Sequence, residues 1–263
     1  MNTLLQRTDA SVLALLLLIG MIVMIVLGRL TSRLWSKEEG EPKGGVSSLF
    51  AALFALSGLI LAFTFGMSQS RLERVRNVVE MEANDIGTAI LRADLYADSA
   101  REGFRADFKN YLEAVIAFYD HAAYREQMHQ ATVDATRAAE KLWARAMRQS
   151  KLPNMLIPSN HMVPALNDMF DIAQSRDLVL KSKIPDLIVY MLFVCVLVGC
   201  FIGGFTSGHF TYRDRVIVGG FVLVTAMVVY TTLDLSRPLR GIITDVPGRE
   251  AILELRSMFN DTK

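Results

Sequence analysis

"SSLFAALFALSGLILAFTFGMSQSRLERVRNVVEMEANDIGTAILRADLYAD" runs from Ser47 to Asp98. Its first third is apolar and uncharged over a length that can cross a bilayer, for which about 20 residues are needed. Its remainder is polar, yet apolar residues return at Leu72, Val75, Val79, Ile86, Ile90 and Leu91, which is helical spacing. From Gln69 to Asp98 there is no proline, and Gly87 is the only glycine. Nothing separates the two parts. The stretch predicts one helix of about 75 Å at about 1.5 Å per residue, part of it in lipid and the rest standing out as a stalk.

Three more stretches are apolar enough to span. They are Val12–Leu27, Leu187–Phe205 and Val216–Leu233, and the one within the quoted stretch extends over Val46–Met67. The 263-residue chain is 52% hydrophobic and only 21% charged, with mean hydropathy +0.31. Those values describe a multi-pass membrane protein with a substantial water-exposed part. The first stretch follows Arg7 as a signal peptide would. No small-x-small cleavage site comes after it, so it reads as a retained span. The net charge of +1 gives no basic field for nucleic acid.

The expected fold class is all-α: four transmembrane helices, with a helical extramembrane bundle inserted between helices 2 and 3. The expected divisions are residues 1–45 (first span and linker), 46–68 (second span), 69–183 (bundle), 184–235 (third and fourth spans) and 236–263 (interfacial tail). In the bundle, a helix starting near Ser99, with Glu102 completing a capping box, carries Phe104, Phe108, Tyr111, Leu112, Val115, Phe118, Tyr119 and Ala122 on one face. A third helix covers Asp134–Ser150. "KLPNMLIPSNHMVP" reads as a loop, with a fourth helix beginning at Pro164. Pro185 either kinks that helix or lets the third span begin afresh. The tail forms a short helix that packs Ile252, Leu253 and Phe259. From Arg71 to Lys183 there are 16 Lys/Arg and 16 Asp/Glu, a well-mixed solvated surface.

Positive charges near the span ends count 10 to 6 in favour of the helical domain and both termini being cytoplasmic, in the cell (inner) membrane. The larger group includes Arg7, Arg71, Arg176, Arg237 and Arg240; the smaller includes Arg29, Arg33 and Arg213.

Four patterns are candidates for function. Ser57, Leu61, Thr64, Ser68 and Arg71 share one face of the second span. They either line a water path with a cation at its mouth, or the hydroxyls bond back to the helix and Arg71 anchors at the headgroups. Cys195, Gly199, Gly203 and Ser207, spaced by four on the third span, form a small-residue ladder for helix packing, with Gly204–Gly208 a second such pair. Asp234, Arg237 and Arg240 surround Pro238 at the exit of the last span. A carboxylate there opposes the helix dipole and calls for a guanidinium partner, either in that group or among Arg71–Arg76. Asp120, His121 and His129 lie near one another in sequence, but the two histidines are eight residues apart, so no metal site is expected. No Asp, Glu, Lys, Arg or His falls inside an apolar core, which disfavours an ion-coupled carrier and leaves room for a passive pore with a hydrophobic gate. There is no P-loop, nucleophile elbow, HExxH or CxxC. Neither an enzyme nor a cofactor is expected.

Three stretches carry a family resemblance: "EANDIGTAILRADLYADSAREGFRADFKNYLEAV" (Glu82–Val115), "LNDMFDIAQSRDLVLKSKIPDLIVYML" (Leu166–Leu192) and "LDLSRPLRGII" (Leu233–Ile243). Together they resemble the bestrophin-like family of bacterial four-span membrane proteins, over about residues 45–260. Leu239 stands where an aromatic is common in the family. The resemblance implies distant kinship with bestrophins, which are pentameric anion channels with four spans per subunit and a cytosolic helical domain. The acidic run that would resemble a bestrophin calcium clasp is absent. The expected function is therefore a homo-oligomeric channel-like protein, a pentamer by analogy, that passes small ions, with anions favoured. Its partners are the lipid bilayer and copies of itself. The alternative is a membrane-anchored helical sensor or interaction scaffold without a pore.

Overall fold

The computed structural model describes residues 8–35, 44–122, 124–182, 184–206, 212–237 and 247–260. Helix α1 covers Ala10–Trp35, α2 Gly44–Arg92, α3 Asp98–Asp120, α4 Arg125–Gln149, α5 Leu156–Lys181, α6 Asp186–Thr206, α7 Tyr212–Leu235 and α8 Pro247–Glu254. Short 3-10 turns follow α2 and α8, at Ala93–Leu95 and Leu255–Phe259. Among the described residues there is no strand. Four helical stretches are long and apolar enough to cross a membrane: Ala10–Leu34, part of Ala51–Leu95, part of Leu156–Thr206, and Arg215–Leu235.

The chain forms two compact units, Met1–Arg71 with Lys183–Arg237, and Leu72–Ser182 with Pro238–Lys263. In the first, α1 packs along α6 and α7. Its core holds Leu13, Leu17 and Met21 of α1, Ile60 of α2, Leu192, Val196 and Cys200 of α6, and Val222, Val229 and Leu233 of α7. The outer face of α1 stays open, with Leu15, Leu16, Ile19, Ile22, Val23 and Val26 exposed. Large aliphatic side chains turned outward from an apolar helix are what lipid accommodates.

The second unit is a helical bundle. Its core joins Ile86 and Ile90 of α2, Phe104, Phe108 and Leu112 of α3, Leu142 of α4, Met162, Leu166 and Met169 of α5, and Ile252 of α8. Each is essentially inaccessible to solvent. The α3 face expected from the sequence, Phe104 through Ala122, is buried throughout. The tail is tied to α3 by a forked Arg256–Glu113 pair at 2.9 and 2.6 Å, by Arg249 on Asp120, and by Arg105 donating to the Met258 carbonyl at 3.0 Å.

Several boundaries differ from the sequence reading. Helix α3 begins at Asp98, with Ala97 in the cap position and no side-chain cap, so Ser99 does not cap it. Helix α4 starts nine residues before Asp134. Helix α5 starts at Leu156 and carries Pro164 inside it. Pro158 falls in its first turn, where the missing N–H would have had no helical partner anyway. Pro164 costs one backbone bond, which the burial of Met162, Ala165, Leu166 and Met169 around it offsets. The turn before α5 is made by Asn154, whose φ of 66° lies in the left-handed region that asparagine tolerates. Helix α6 begins afresh at Asp186, just after Pro185.

Candidate functional site

Within the first unit, α2 has two unlike faces. Ile60, Thr64, Ser68 and Arg71 turn into the unit and are buried. Every hydroxyl of the expected stripe bonds to the helix itself: Ser57 to the Leu53 carbonyl at 2.8 Å, Thr64 to Ile60 at 2.7 Å and Ser68 to Thr64 at 3.0 Å. A residue that lines a path between copies has to be accessible on a single chain. Thr64 and Ser68 are 1% and 0% exposed, so they lie off any such surface, while Ser57 and Leu61 are half-buried at its margin. The opposite face is open. Ala52, Ala55, Leu56, Leu59, Ala62, Phe63 and Gly66 are exposed, and they recur every three to four residues along one side of the helix. Carbon atoms added at Gly58 and Gly66 would meet nothing within 4 Å.

Arg71 explains the end of the last span. Its guanidinium donates to the carbonyl of Ser236, one residue past α7. That carbonyl belongs to the helix terminus that α7 itself cannot satisfy, and a cation there also matches the helix dipole. Asp234, two residues earlier, is 3% exposed. Arg237 folds back through its backbone N–H onto the Asp234 carbonyl at 2.8 Å. The cation expected to stand open at a mouth is therefore engaged as a cap. Arg240 lies outside the described residues.

Among the described residues, the backbone approach of this unit lies one position beyond the ladder read from the sequence. A carbon on Gly28 would overlap the Phe201 carbonyl, and one on Gly204 would overlap the Ile25 carbonyl. Helices α1 and α6 therefore touch backbone to backbone at Gly28 and Gly204. Gly20 faces Leu197, so the two helices run in parallel. Gly199 is buried but meets only the Phe54 ring, at 3.7 Å, an ordinary contact. Cys195 and Gly203 are half-buried. Ser207 and Gly208 lie outside the described residues. The buried side of α6 takes in Gly199 and runs through Val189, Leu192, Val196, Cys200 and Gly204, the last four spaced by four and about one residue, or about 100°, round from the expected ladder.

In the second unit a buried ion pair joins α2 to α5. Arg176 donates to Glu82 at 2.5 Å, with side chains 6% and 0% exposed respectively. Tyr119 of α3 donates to the second Glu82 oxygen at 2.6 Å. The Arg176 guanidinium lies 4.3 Å from the Phe118 ring centre and reaches Asp177 at 3.0 Å. Burial pushes the Glu82 carboxyl above its ordinary value, against the opposing pull of Arg176 and Tyr119. The Tyr119 hydroxyl is raised by burial and by the neighbouring Glu82 charge. Removing either member would strand a charge in an apolar setting. The sequence reading missed this pair, although a signal for it was there. Glu82 falls in register with Val75, Val79, Ile86 and Ala89, and an acid on a buried stripe needs a buried partner. Among the described residues no group of three or more His, Cys, Asp or Glu gathers as a metal site.

A family model described as a Bestrophin-like domain matches residues 14–244. Solved structures share the fold. A crystal structure of a single-site variant of a bacterial bestrophin homolog from Klebsiella pneumoniae is 15% identical, covers 97% of this chain and 100% of that chain, and superposes with a TM-score of 0.69. The zinc-phased structure of a bacterial bestrophin homolog from Klebsiella pneumoniae is 14% identical over 92% of this chain and 98% of that one, with a TM-score of 0.67. No curated protein matches the chain.

Proposed function

The chain belongs to the bestrophin-like family, and from that premise we propose that copies of it associate in the cell membrane as a channel for small ions, anions favoured. The observation that carries this reading is the open face of α2. Small residues turned outward in lipid let helices approach one another closely, and α2 presents Ala52, Ala55, Ala62 and Gly66 there, whereas the outer face of α1 presents the bulkier Leu15, Leu16, Ile19, Ile22, Val23 and Val26. Leu56, Leu59 and Phe63 punctuate the same face and are 44%, 53% and 65% exposed. Rings of such side chains around an axis make an apolar constriction that gates by dewetting. Ser57 and Leu61 border the face, and Thr64, Ser68 and Arg71 support it from behind. No Asp or Glu lies on α2 between Ala51 and Arg71, which suits an anion. The family's kinship with bestrophins carries the anion preference and the pentamer. The 10-to-6 charge count supports an orientation with the helical unit and both termini on the cytoplasmic side. A reporter fused after Lys263 should be active in the cytoplasm, and periplasmic activity would reverse the orientation.

Purified protein in proteoliposomes should pass chloride. Well-folded protein that passes neither chloride nor sodium would refute the channel. The alternative, a membrane-anchored sensor or scaffold without a pore, would then stand, and the open cavity between α4 and α5 is the observation that favours it.

A further inference from the structure

The geometry points to a binding site for a small organic cation in the helical unit, in the cavity between α4 and α5. This inference does not rest on the chain conducting ions. The cavity holds about 640 Å³, within the range of about 300–1,000 Å³ typical of small-molecule sites. It is open because the facing positions are small: Ala135 and Ala139 on α4, and Ala173 on α5. One wall is aromatic. Trp143 and Phe170 meet edge to face with ring centres 6.3 Å apart, and both line the space.

Charge selects the occupant. Among the described residues that line the cavity, the one cation, Arg176, is already engaged. It bonds Glu82 at 2.5 Å and puts Nε and Nη2 on one oxygen of Asp177, at 3.2 and 3.0 Å. An anion entering here would find that guanidinium held by two carboxylates. Glu140 also lines the cavity, and neither it nor the second Asp177 oxygen has a polar partner among the described residues. Even with Glu82 set aside, two carboxylates face one guanidinium. Two aromatic rings beside surplus acid are the surroundings that attract an ammonium group on an apolar body. The polar side chains Thr132, Thr136, Asn167 and Gln174 also border the cavity and can hold water or hydroxyl groups around such a ligand.

The test is titration calorimetry on the intact full-length protein in lipid nanodiscs, with phenethylammonium as the probe and phenylacetate as a probe of similar shape and opposite charge. Phenethylammonium should bind saturably at one site per chain, and phenylacetate should not. Glu140→Gln, at an exposed position, should keep the fold and weaken binding about threefold or more, the scale of a partly exposed charge pair. Ala173→Leu keeps both carboxylates but fills the space, and should abolish binding in protein that elutes like wild type. Equal binding of phenylacetate, or unchanged binding by Ala173→Leu, would overturn the proposal. So would absence of phenethylammonium binding to the full-length protein.

Discussion

Arg176 and Glu82 lie 94 residues apart in sequence and meet at 2.5 Å, in a place where neither side chain is more than 6% exposed. The pair joins α5 to the C-terminal part of α2, both within the helical unit. Such a pair adds little net stability over a well-packed apolar replacement, but breaking it is costly.

Glu82→Ala or Arg176→Met alone should therefore destabilise the protein by about 3–5 kcal/mol. The Glu82→Met, Arg176→Met double change should cost clearly less than the sum. Thermal melts of detergent-purified protein measure this, and additive losses would show that the two charges act independently.

The same carboxyl carries a pH signature. Burial raises its pKa in the fold above the ordinary 4.5, so the native state holds this proton more firmly than the unfolded chain does. The contribution is fully present below about 4.5 and is lost as pH rises through the raised value. Relative to Glu82→Gln, which cannot titrate, wild type should lose melting temperature as pH increases from about 4.5. A difference between the two proteins that stays constant with pH would contradict the assignment.

The backbone contact of α1 with α6 makes a sharp contrast. Gly28→Ala and Gly204→Ala force carbon into a facing carbonyl and should lower melting temperature and yield. Gly199→Ala, whose new carbon would sit 3.7 Å from a ring, and Gly219→Ala, which meets nothing within 4 Å, should be nearly silent. A ranking with Gly199 as the most sensitive position would move the seam back to the spacing-of-four ladder.

The tail should owe its attachment to packing rather than to charge. Ile252 is 1% exposed, and Ile252→Ala should cost about 2–5 kcal/mol. Arg256 and Glu113 are nearly half exposed, and Arg256→Ala should leave the melting temperature almost unchanged. Limited proteolysis of the C-terminus checks both.

If the open face of α2 lines an ion path, Phe63→Ala should raise chloride flux several-fold by widening the constriction. Thr64→Leu should act differently, lowering stability, because Thr64 is buried against its own unit. Flux that is indifferent to Phe63 and sensitive only to Ser57 would return the lining to the hydroxyl side.

Much of the architecture was legible because it is local. An apolar run of membrane length has few other fates, since backbone polar groups in lipid must be satisfied within the segment. The lack of any breaker after Met67 made α2 continuous, and the spacing from Phe104 to Tyr119 marked the buried side of α3. Helix α5 was less legible. Pro164 read as a start because proline is a poor interior residue, and only the packing of Met162 through Met169 outweighed that local penalty.

What the sequence by itself determined was the number of spans, their order and the helical insertion. Only the tertiary structure decided which way each span turns. A helix that is apolar all round has no preferred inner face, so the rotation of α2 and of α6 follows from their neighbours. The Gly28–Gly204 approach turns α6 about 100° from its most regular small-residue ladder. The packing of Ile60 and Thr64 against the same unit leaves the alanine and phenylalanine side of α2 open. The Glu82–Arg176 pair depends on tertiary structure for the same reason: each charge is conspicuous on its own helix, but its partner is named only when the bundle brings α2 and α5 together.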